Sequence, residues 1–183
     1  MPFEPRKKPL QERALRTVEA LIEATAQLLV ESGYEKTSTN RIAKRAGVSI
    51  GSLYQYFPNK EALMSSVVER LVDAEIDHIQ AHLDSVLDEH ATLKEVIPEI
   101  FRGLLDAQMI HPHLARVLYQ YAPPKGQVQM IVLFTRRFQR IVLRTLEHLQ
   151  EPLRPENLEL ASFVLVSAVQ GIIRQTILDR QEL

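Results

Sequence analysis

The feature that most constrains the fold is a run of helix start and stop signals between Thr37 and Leu63. Thr37 or Ser38 can cap a first helix, and Gly47 stands where that helix can end in the left-handed conformation. Ser49 can cap the next helix, because its side-chain oxygen accepts an orphan backbone N–H. Pro58 ends that second helix, since the residue before a proline is pushed away from helical angles. The stretch therefore predicts two short helices joined by a tight glycine turn.

Apolar residues give each of these short helices one face toward a core. Ile42 and Ala43 fall on one side of the first helix, and Leu53 and Phe57 share one side of the second. Two short helices joined in this way form the unit that places its second helix in the major groove of DNA. The residues left off the apolar face supply mainly hydroxyls, phenols, an amide and an ammonium, which suit phosphates and base edges. They are Ser49, Ile50, Gly51, Ser52, Tyr54, Gln55, Tyr56 and Lys60.

Many residues of this stretch resemble, at fixed spacing, the signature of the TetR family of bacterial transcriptional regulators. They are Ile42-Ala43, Ala46-Gly47-Val48-Ser49, Gly51, Leu53-Tyr54, Tyr56-Phe57, Lys60 and Leu63. The resemblance covers the first third of the chain, and the remainder is similar to the family in length and helical pattern. It implies an all-α fold in which a helix-turn-helix domain, residues 1–60, continues into a helical effector-binding and dimerisation domain, residues 61–183.

The resemblance also implies which positions of the motif contact DNA. By position in the motif, Thr39, Tyr54, Tyr56 and Lys60 are expected to hold phosphates, and Ile50, Gly51 and Ser52 to approach base edges. Arg41 and Gln55 are possible additional readers, and Asn40 and Ser49 complete the predicted DNA-binding set. An isoleucine at position 50 offers only apolar contact, for instance to a thymine methyl group.

Charge is distributed unevenly along the chain. Residues 1–60 hold ten Lys and Arg against six Asp and Glu, whereas residues 61–183 hold twelve against seventeen. A basic first part on an acidic remainder fits an approach to DNA by one end, although random fluctuation is an alternative explanation. Residues 1–11 carry three prolines and the basic run Arg6–Lys8, which predicts a mobile arm, either solvated or in contact with DNA.

Helical periodicity continues through the rest of the chain, and no strand pattern or internal repeat interrupts it. The expected loop with the strongest signal is Ala122–Gly126, which contains two prolines and a glycine. The expected helices are Glu12–Ser32, Lys60 to about Leu87, residues 92–109, Pro112–Tyr121, Val128–Leu149 and Glu156–Leu178.

Composition excludes several classes of site and location. There is no cysteine, so disulfides and thiolate zinc sites are excluded. No apolar h-region follows the basic N-terminal residues, and no apolar run is long enough for a bilayer, so we expect a cytoplasmic protein with no membrane partner.

Two histidines have a spacing that metal sites use. His78 and His82 are four residues apart on the predicted long helix, with Glu75 one turn earlier. A carboxylate-bridged metal bundle would need a second Glu-x-x-His motif, which the sequence lacks. We therefore expect solvent-facing or interfacial histidines, no metal and no cofactor.

The second part of the chain is expected to carry an effector pocket and a dimer face. The apolar residues that could line a pocket, or simply form core, are Phe101, Leu105, Met109, Leu118, Tyr119 and Phe138. The resemblance implies that the last two long helices pair with a second copy in a four-helix bundle. The residues expected at that face are Phe134, Ala161, Leu165, Ala168 and Ile172.

One competing motif indicates an enzyme. Gly47–Gly51 matches G-x-S-x-G, which in a serine hydrolase places the nucleophile, here Ser49, between a strand and a helix. No strand is predicted before it, so a helix cap is the better interpretation.

The sequence as a whole predicts a homodimeric repressor that a small apolar effector releases from operator DNA. An activator and a ligand-independent regulator are the alternatives.

Overall fold

The structure is a computed structural model that describes residues 12–88, 90–121, 124–149 and 157–179. Within these ranges the chain forms eight helices and no strand, which confirms the predicted all-α class. The helices are α1 (Glu12–Lys36), α2 (Thr39–Ala46), α3 (Ile50–Tyr56), α4 (Lys60–Asp84), α5 (Leu93–Ala107), α6 (Pro112–Tyr121), α7 (Pro124–His148) and α8 (Leu158–Asp179). The predicted N-terminal arm, residues 1–11, lies outside the described residues.

Most helix boundaries fall close to the predicted ones. α1 is interrupted at Gly33, whose φ of 75° only a glycine adopts without strain. The predicted loop Ala122–Gly126 is wrong in its second half, because Pro124 begins α7. A proline is favourable at the first helical position, where its missing N–H leaves no hydrogen bond unmade. Residues 122 and 123 lie outside the described part of the chain.

The chain divides into two compact units. One consists of the described part of Met1–Leu71 together with His113–Gln129, and the other of Val72–Pro112 with the described part of Met130–Leu183. α4 belongs to both units, since it runs without a break across Leu71. The predicted domain boundary after residue 60 stays a prediction.

The core of the first unit is formed by α1, α2, α3 and the start of α4. α1 packs on α2, and α2 packs on α3. The buried residues are Leu21, Ala24, Leu28, Ile42, Ala43, Leu53, Phe57, Ala62 and Leu63. Among them are the four residues that the apolar pattern of the two short helices selected, and Val48 at the turn packs against this cluster.

The second unit contains the rest of α4, the helix α5, α7 from Met130 onward and α8. The N-terminus of α5 is capped, because the Glu95 carboxylate accepts hydrogen bonds from the N–H and the hydroxyl of Thr92, which lowers the pKa of Glu95. Gln170 of α8 donates to the Ile131 carbonyl of α7 at 3.1 Å and accepts from the Thr135 hydroxyl. These bonds fasten α8 to α7.

No helix in the described ranges has both the length and the apolar character that crossing a bilayer requires.

Candidate nucleic-acid interface

The turn between α2 and α3 is closed by backbone hydrogen bonds around Gly47. Its φ of 69° and ψ of 26° are left-handed. The Gly47 N–H donates to the Lys44 carbonyl at 3.3 Å, and the Val48 N–H donates to the Ala43 carbonyl at 3.0 Å. This pair of bonds is the Schellman motif, which satisfies the last carbonyls of α2 and turns the chain sharply into α3.

Serine caps begin both short helices. Ser38 Oγ accepts from the Arg41 N–H at 3.4 Å, so Ser38 and not Thr37 caps α2. Ser49 Oγ accepts from the Ser52 N–H at 3.0 Å and lies 2.9 Å from the Ser52 hydroxyl. Ser49 therefore works as a helix cap, and the described residues contain no strand to form the nucleophile elbow of a hydrolase.

The face of α3 that points away from the core carries the predicted DNA-binding residues. Leu53 and Phe57 are fully buried beneath it. The residues of the set that are exposed are Asn40, Arg41, Ser49, Ile50, Gly51, Tyr54 and Gln55, and those that are half-buried are Thr39, Ser52, Tyr56 and Lys60. Every residue of the set is therefore at least partly exposed on the first unit, on α2, along α3 and its cap, or at the start of α4.

Gly51 lies on this face without a packing reason for being glycine. A Cβ atom added there would meet only the Ser49 hydroxyl oxygen, at an ordinary 3.8 Å. Glycine in a helix costs roughly 1 kcal/mol relative to alanine. A glycine that the fold does not require allows the backbone of α3 to approach another molecule closely.

Thr39, in the first turn of α2, contacts Tyr54 of α3. Their side-chain oxygens lie 3.1 Å apart, within hydrogen-bond distance, so the first turn of α2 orients the phenol of α3. Both hydroxyls keep further hydrogen-bonding capacity. One of the two O–H groups is used between them, so the pair can still donate one hydrogen bond to a phosphate.

Lys60 is oriented by Tyr34 at the end of α1. The ammonium donates to the Tyr34 carbonyl at 3.2 Å and lies 3.7 Å from the centre of its ring. Burial, reinforced by the charge of Glu61, raises the pKa of Tyr34 to about 12, so its hydroxyl stays a donor to Glu61 at 3.2 Å. The sequence pattern did not indicate Tyr34 as part of this site.

The two arginines of α2 are engaged with α1. Arg41 donates to the Ser32 hydroxyl at 3.1 Å and to the Lys36 carbonyl. Arg45 forms two bonds of 2.7 Å with the Glu31 carboxylate, an interaction that raises the pKa of Arg45 and lowers that of Glu31. This bidentate pair fixes α2 against α1, a role that sequence reasoning missed because its partners are fourteen residues apart.

The residues predicted to line an effector pocket are not gathered into one environment. Leu118 and Phe138 are buried, whereas Phe101, Leu105 and Met109 are exposed, Leu105 to 69%. Phe101 and Leu105 lie one turn apart on α5, and Met109 lies two residues past the end of that helix. The side chain of Tyr119 lies outside the described residues. The pocket stays a prediction.

The residues predicted for a dimer face divide in a similar way. Phe134 is buried beside Phe138, with ring centres 5.6 Å apart. Leu165, Ala168 and Ile172 are exposed on α8, and Ala161 is half-buried.

α8 also exposes a continuous stripe at helical spacing that includes Ala168 and Ile172. Its members are Leu160, Phe163, Val164, Ser167, Ala168, Gly171 and Ile172. A Cβ atom at Gly171 would meet nothing within 4 Å among the described residues, so no packing in that part of the chain explains the glycine.

Both the first and the second part of the chain match family models of bacterial transcriptional regulators. Residues 21–67 match the family described as "Bacterial regulatory proteins, tetR family", and residues 92–183 match "Tetracyclin repressor-like, C-terminal domain".

Among curated relatives, the nucleoid occlusion factor SlmA of Pasteurella multocida is 32% identical over 151 residues, which cover 80% of this chain and 70% of the relative. The SlmA protein of Haemophilus influenzae is 30% identical over 144 residues, covering 79% of this chain and 63% of the relative. The match thus spans less than two thirds of that relative's length.

Solved structures share the fold. A TetR-family transcriptional regulator from Mesorhizobium loti superposes with a TM-score of 0.72 at 21% identity, over 90% of this chain and 84% of that one. The fatty acid degradation regulator FadR of Bacillus halodurans superposes with a TM-score of 0.63 at 18% identity, over 97% and 89%.

A capped helix-turn-helix with an outward polar face, set before a helical second part, defines a class of DNA-binding regulatory proteins. The two family matches together cover most of the chain and agree with this class. The chain belongs to the TetR family of bacterial transcriptional regulators.

Proposed function

We propose that this protein is a homodimeric repressor that binds operator DNA in a sequence-specific manner and is released by a small apolar effector. The observation that carries the proposal is the outward face of α3, where Gly51, Tyr54 and Gln55 are exposed beside a single aliphatic residue, Ile50, while Leu53 and Phe57 are buried. The likeness of residues 92–183 to the tetracyclin repressor C-terminal domain supports repression and effector release. A protein that acts on chromosomal DNA in a bacterium works in the cytoplasm.

The proposed contacts divide into positioning and reading. Thr39, Tyr54, Tyr56 and Lys60 hold phosphates, which set the register of α3 without reading sequence. The other predicted residues face the bases: Ser49, Ile50, Gly51, Ser52 and Gln55, with Asn40 and Arg41 at the edge of the groove. Because Arg41 already bonds to α1, its contact with DNA is through its remaining N–H groups.

The proposed dimer uses the exposed stripe of α8. An apolar stripe of this length is unfavourable in water and is covered when a symmetry mate packs against it. The small residues Ala168 and Gly171 let two helices approach closely. Two-fold symmetry then implies a roughly palindromic operator with half-sites about 34–36 Å apart, or a multiple of that distance.

The effector is proposed to bind among the helices of the second part, with Phe101, Leu105, Met109, Leu118, Tyr119 and Phe138 as its apolar contacts. Release from DNA requires that the effector bind the DNA-free conformation more tightly, with a coupling of about 1–3 kcal/mol or more.

Selection from random duplexes tests the proposal. The purified protein is expected to enrich a palindromic sequence, and protection from cleavage should cover two half-sites. A reporter placed behind that sequence should fall in expression when the protein is produced. Failure to enrich any sequence over bulk duplex would refute operator binding, whereas a rise in reporter expression would identify an activator.

A second candidate function follows from the relatives at about 30% identity, which are named nucleoid occlusion factors. In that role the DNA-bound protein acts at the chromosome without controlling promoters. Mapping bound sites in cells and comparing transcripts with and without the gene separates the two functions. Promoter sites with changed transcripts support the repressor, and dispersed sites with unchanged transcripts support the second function.

A further inference from the structure

His82 of α4 lies between two carboxylates of α5. Its Nδ1 atom is 3.3 Å from Glu99 Oε2, and its Nε2 atom is 3.3 Å from Asp106 Oδ2. The two helices approach this closely at Gly103, where a Cβ atom would meet the Ile79 Cα at 3.0 Å and the His82 Cβ at 3.3 Å. The cluster is thus a product of the α4–α5 crossing, and all its members belong to the second unit.

His78 lies one turn before His82, with the ring centres 5.1 Å apart. Its Nε2 atom is buried and has no hydrogen-bond partner among the described residues. Leaving a buried polar atom unpaired costs about 1–3 kcal/mol, so such an atom in a folded protein requires an explanation. One ligand atom from each of His78, His82 and Asp106 lies within 4.8 Å of the other two.

We infer that His78, His82 and Asp106 bind a divalent transition-metal cation of the Zn²⁺ type. Two imidazoles and one carboxylate form the donor set of zinc sites that keep an open fourth position for water. Ligand atoms about 2.0–2.1 Å from a tetrahedral zinc lie about 3.3–3.4 Å from one another. The 3.3 Å between His82 Nε2 and Asp106 Oδ2 matches this separation. Rotation of the His78 side chain brings in the third ligand atom.

Glu99 is placed to accept a hydrogen bond from the ring nitrogen of His82 that does not face the proposed metal. A ligating imidazole commonly donates its other ring N–H to a carboxylate, which fixes the tautomer and strengthens the ligand. Glu99 Oε2 stands at Nδ1 of His82, and its other oxygen pairs with Arg102. His82 therefore keeps Nε2 free for the metal, and Glu99 is a positioning residue.

The cluster is open to solvent on one side. The Asp106 side chain is 59% exposed, whereas those of His82 and Glu99 are mostly covered. A hydrated cation can therefore reach Asp106 first and lose water as it passes to the imidazoles. The bound ion would join α4 to α5 by ligands from both helices.

The test is zinc binding by the full chain without DNA, so its result is independent of the proposed DNA-binding function. Protein stripped with EDTA and dialysed is titrated with ZnCl₂ in competition with a chromogenic chelator. One Zn²⁺ per chain is expected. Zinc at about 100 times its dissociation constant should raise the melting temperature by roughly 5–10 °C.

Three variants locate the site. Asp106→Asn should weaken zinc binding at least tenfold and therefore reduce the rise in melting temperature at the same zinc concentration to about half or less. Asp77→Asn, which removes an equal charge from an exposed position of α4, should bind zinc like the wild type. Glu99→Gln should weaken binding by about 10–100-fold, because His82 loses the carboxylate that orients its ring.

Two results would overturn the inference. The first is an absence of stoichiometric zinc binding to the wild-type chain. The second is equal zinc affinity in the Asp106→Asn and Asp77→Asn variants. Either would mean that His82 is an ion-paired histidine between two carboxylates and that the unpaired nitrogen of His78 has another origin.

Discussion

The ammonium of Lys60 lies 3.7 Å from the centre of the Tyr34 ring and donates to the backbone carbonyl of the same residue. The two residues join the first turn of α4 to the end of α1, directly behind the helix-turn-helix. A lysine held in this way loses little side-chain entropy when it meets a phosphate. The proposed phosphate contact therefore depends on Tyr34, a residue outside the proposed DNA-binding set.

Replacing Lys60 by Ala is expected to weaken operator binding and to lower the slope of log affinity against log salt by about 1, because one phosphate contact is lost. Fluorescence anisotropy with a selected duplex at several salt concentrations measures both quantities. Lys94→Ala, which removes the same charge from an exposed position of α5, is the control. Affinity and slope equal to those of the wild type would show that Lys60 does not contact phosphate.

Two glycines of the interface should respond to alanine in opposite ways. Gly47→Ala should destabilise the free protein by about 1 kcal/mol, because its left-handed φ is unfavourable for a residue with a Cβ atom. Gly51→Ala should leave the free protein as stable or more so, because its Cβ atom meets no close contact. Its operator affinity should nevertheless fall by about tenfold, or 1.4 kcal/mol, since the methyl group stands where DNA approaches.

Chemical denaturation and operator titration of both variants check this pair. Unchanged operator affinity for Gly51→Ala would mean that the backbone of α3 does not approach the bases at residue 51. An unchanged unfolding free energy for Gly47→Ala would mean that the turn relaxes to another conformation.

Glu75 makes stability depend on pH. It is only 3% exposed, and burial raises the pKa of its carboxyl from 4.5 to about 7. Between these values the folded chain keeps a proton that the unfolded chain has released, so stability falls as the pH rises from 4.5 to 7. The loss from this one group is about 3 kcal/mol once the pH exceeds 7.

Glu75→Gln should therefore be more stable than the wild type by about 3 kcal/mol at pH 8 and equally stable at pH 4. Urea denaturation at both pH values, with EDTA present, measures the difference. Glu69→Gln, an exposed carboxylate on the same helix, is the control and should change little. A constant difference between wild type and Glu75→Gln at both pH values would exclude a raised pKa in the folded protein.

The exposed stripe of α8 predicts the assembly state. Ile172 is 66% exposed, so Ile172→Asp should cost the folded monomer little but should place a charge in the proposed dimer interface. Light scattering after size exclusion should give twice the chain mass of 21.0 kDa for the wild type and the single mass for the variant. Val30→Asp, at another exposed apolar position, should stay dimeric. A wild-type monomer, or a dimeric Ile172→Asp, would refute this interface.

The helix-turn-helix was predictable in detail because its signals are local. The caps at Ser38 and Ser49, the glycine at position 47 and the proline at position 58 act within one or two turns of the residues they control. The N-terminus of α5 was predictable for the same reason, since Thr92 and Glu95 are three residues apart. The start of α7 was misplaced because Pro124 and Gly126 are compatible with both a loop and the first turn of a helix.

The sequence by itself determined the helical class, the turn and the set of side chains that α3 turns away from its core, because hydrogen bonds and periodicity between near neighbours specify them. Only the tertiary structure decided which side chains of α2 and α4 are oriented by residues distant in sequence. Lys60 is oriented by Tyr34, and Arg45 by Glu31. It also decided that His82 meets Glu99 and Asp106 across the α4–α5 crossing. Contacts between residues far apart in sequence depend on how whole helices pack, and no local pattern encodes that packing.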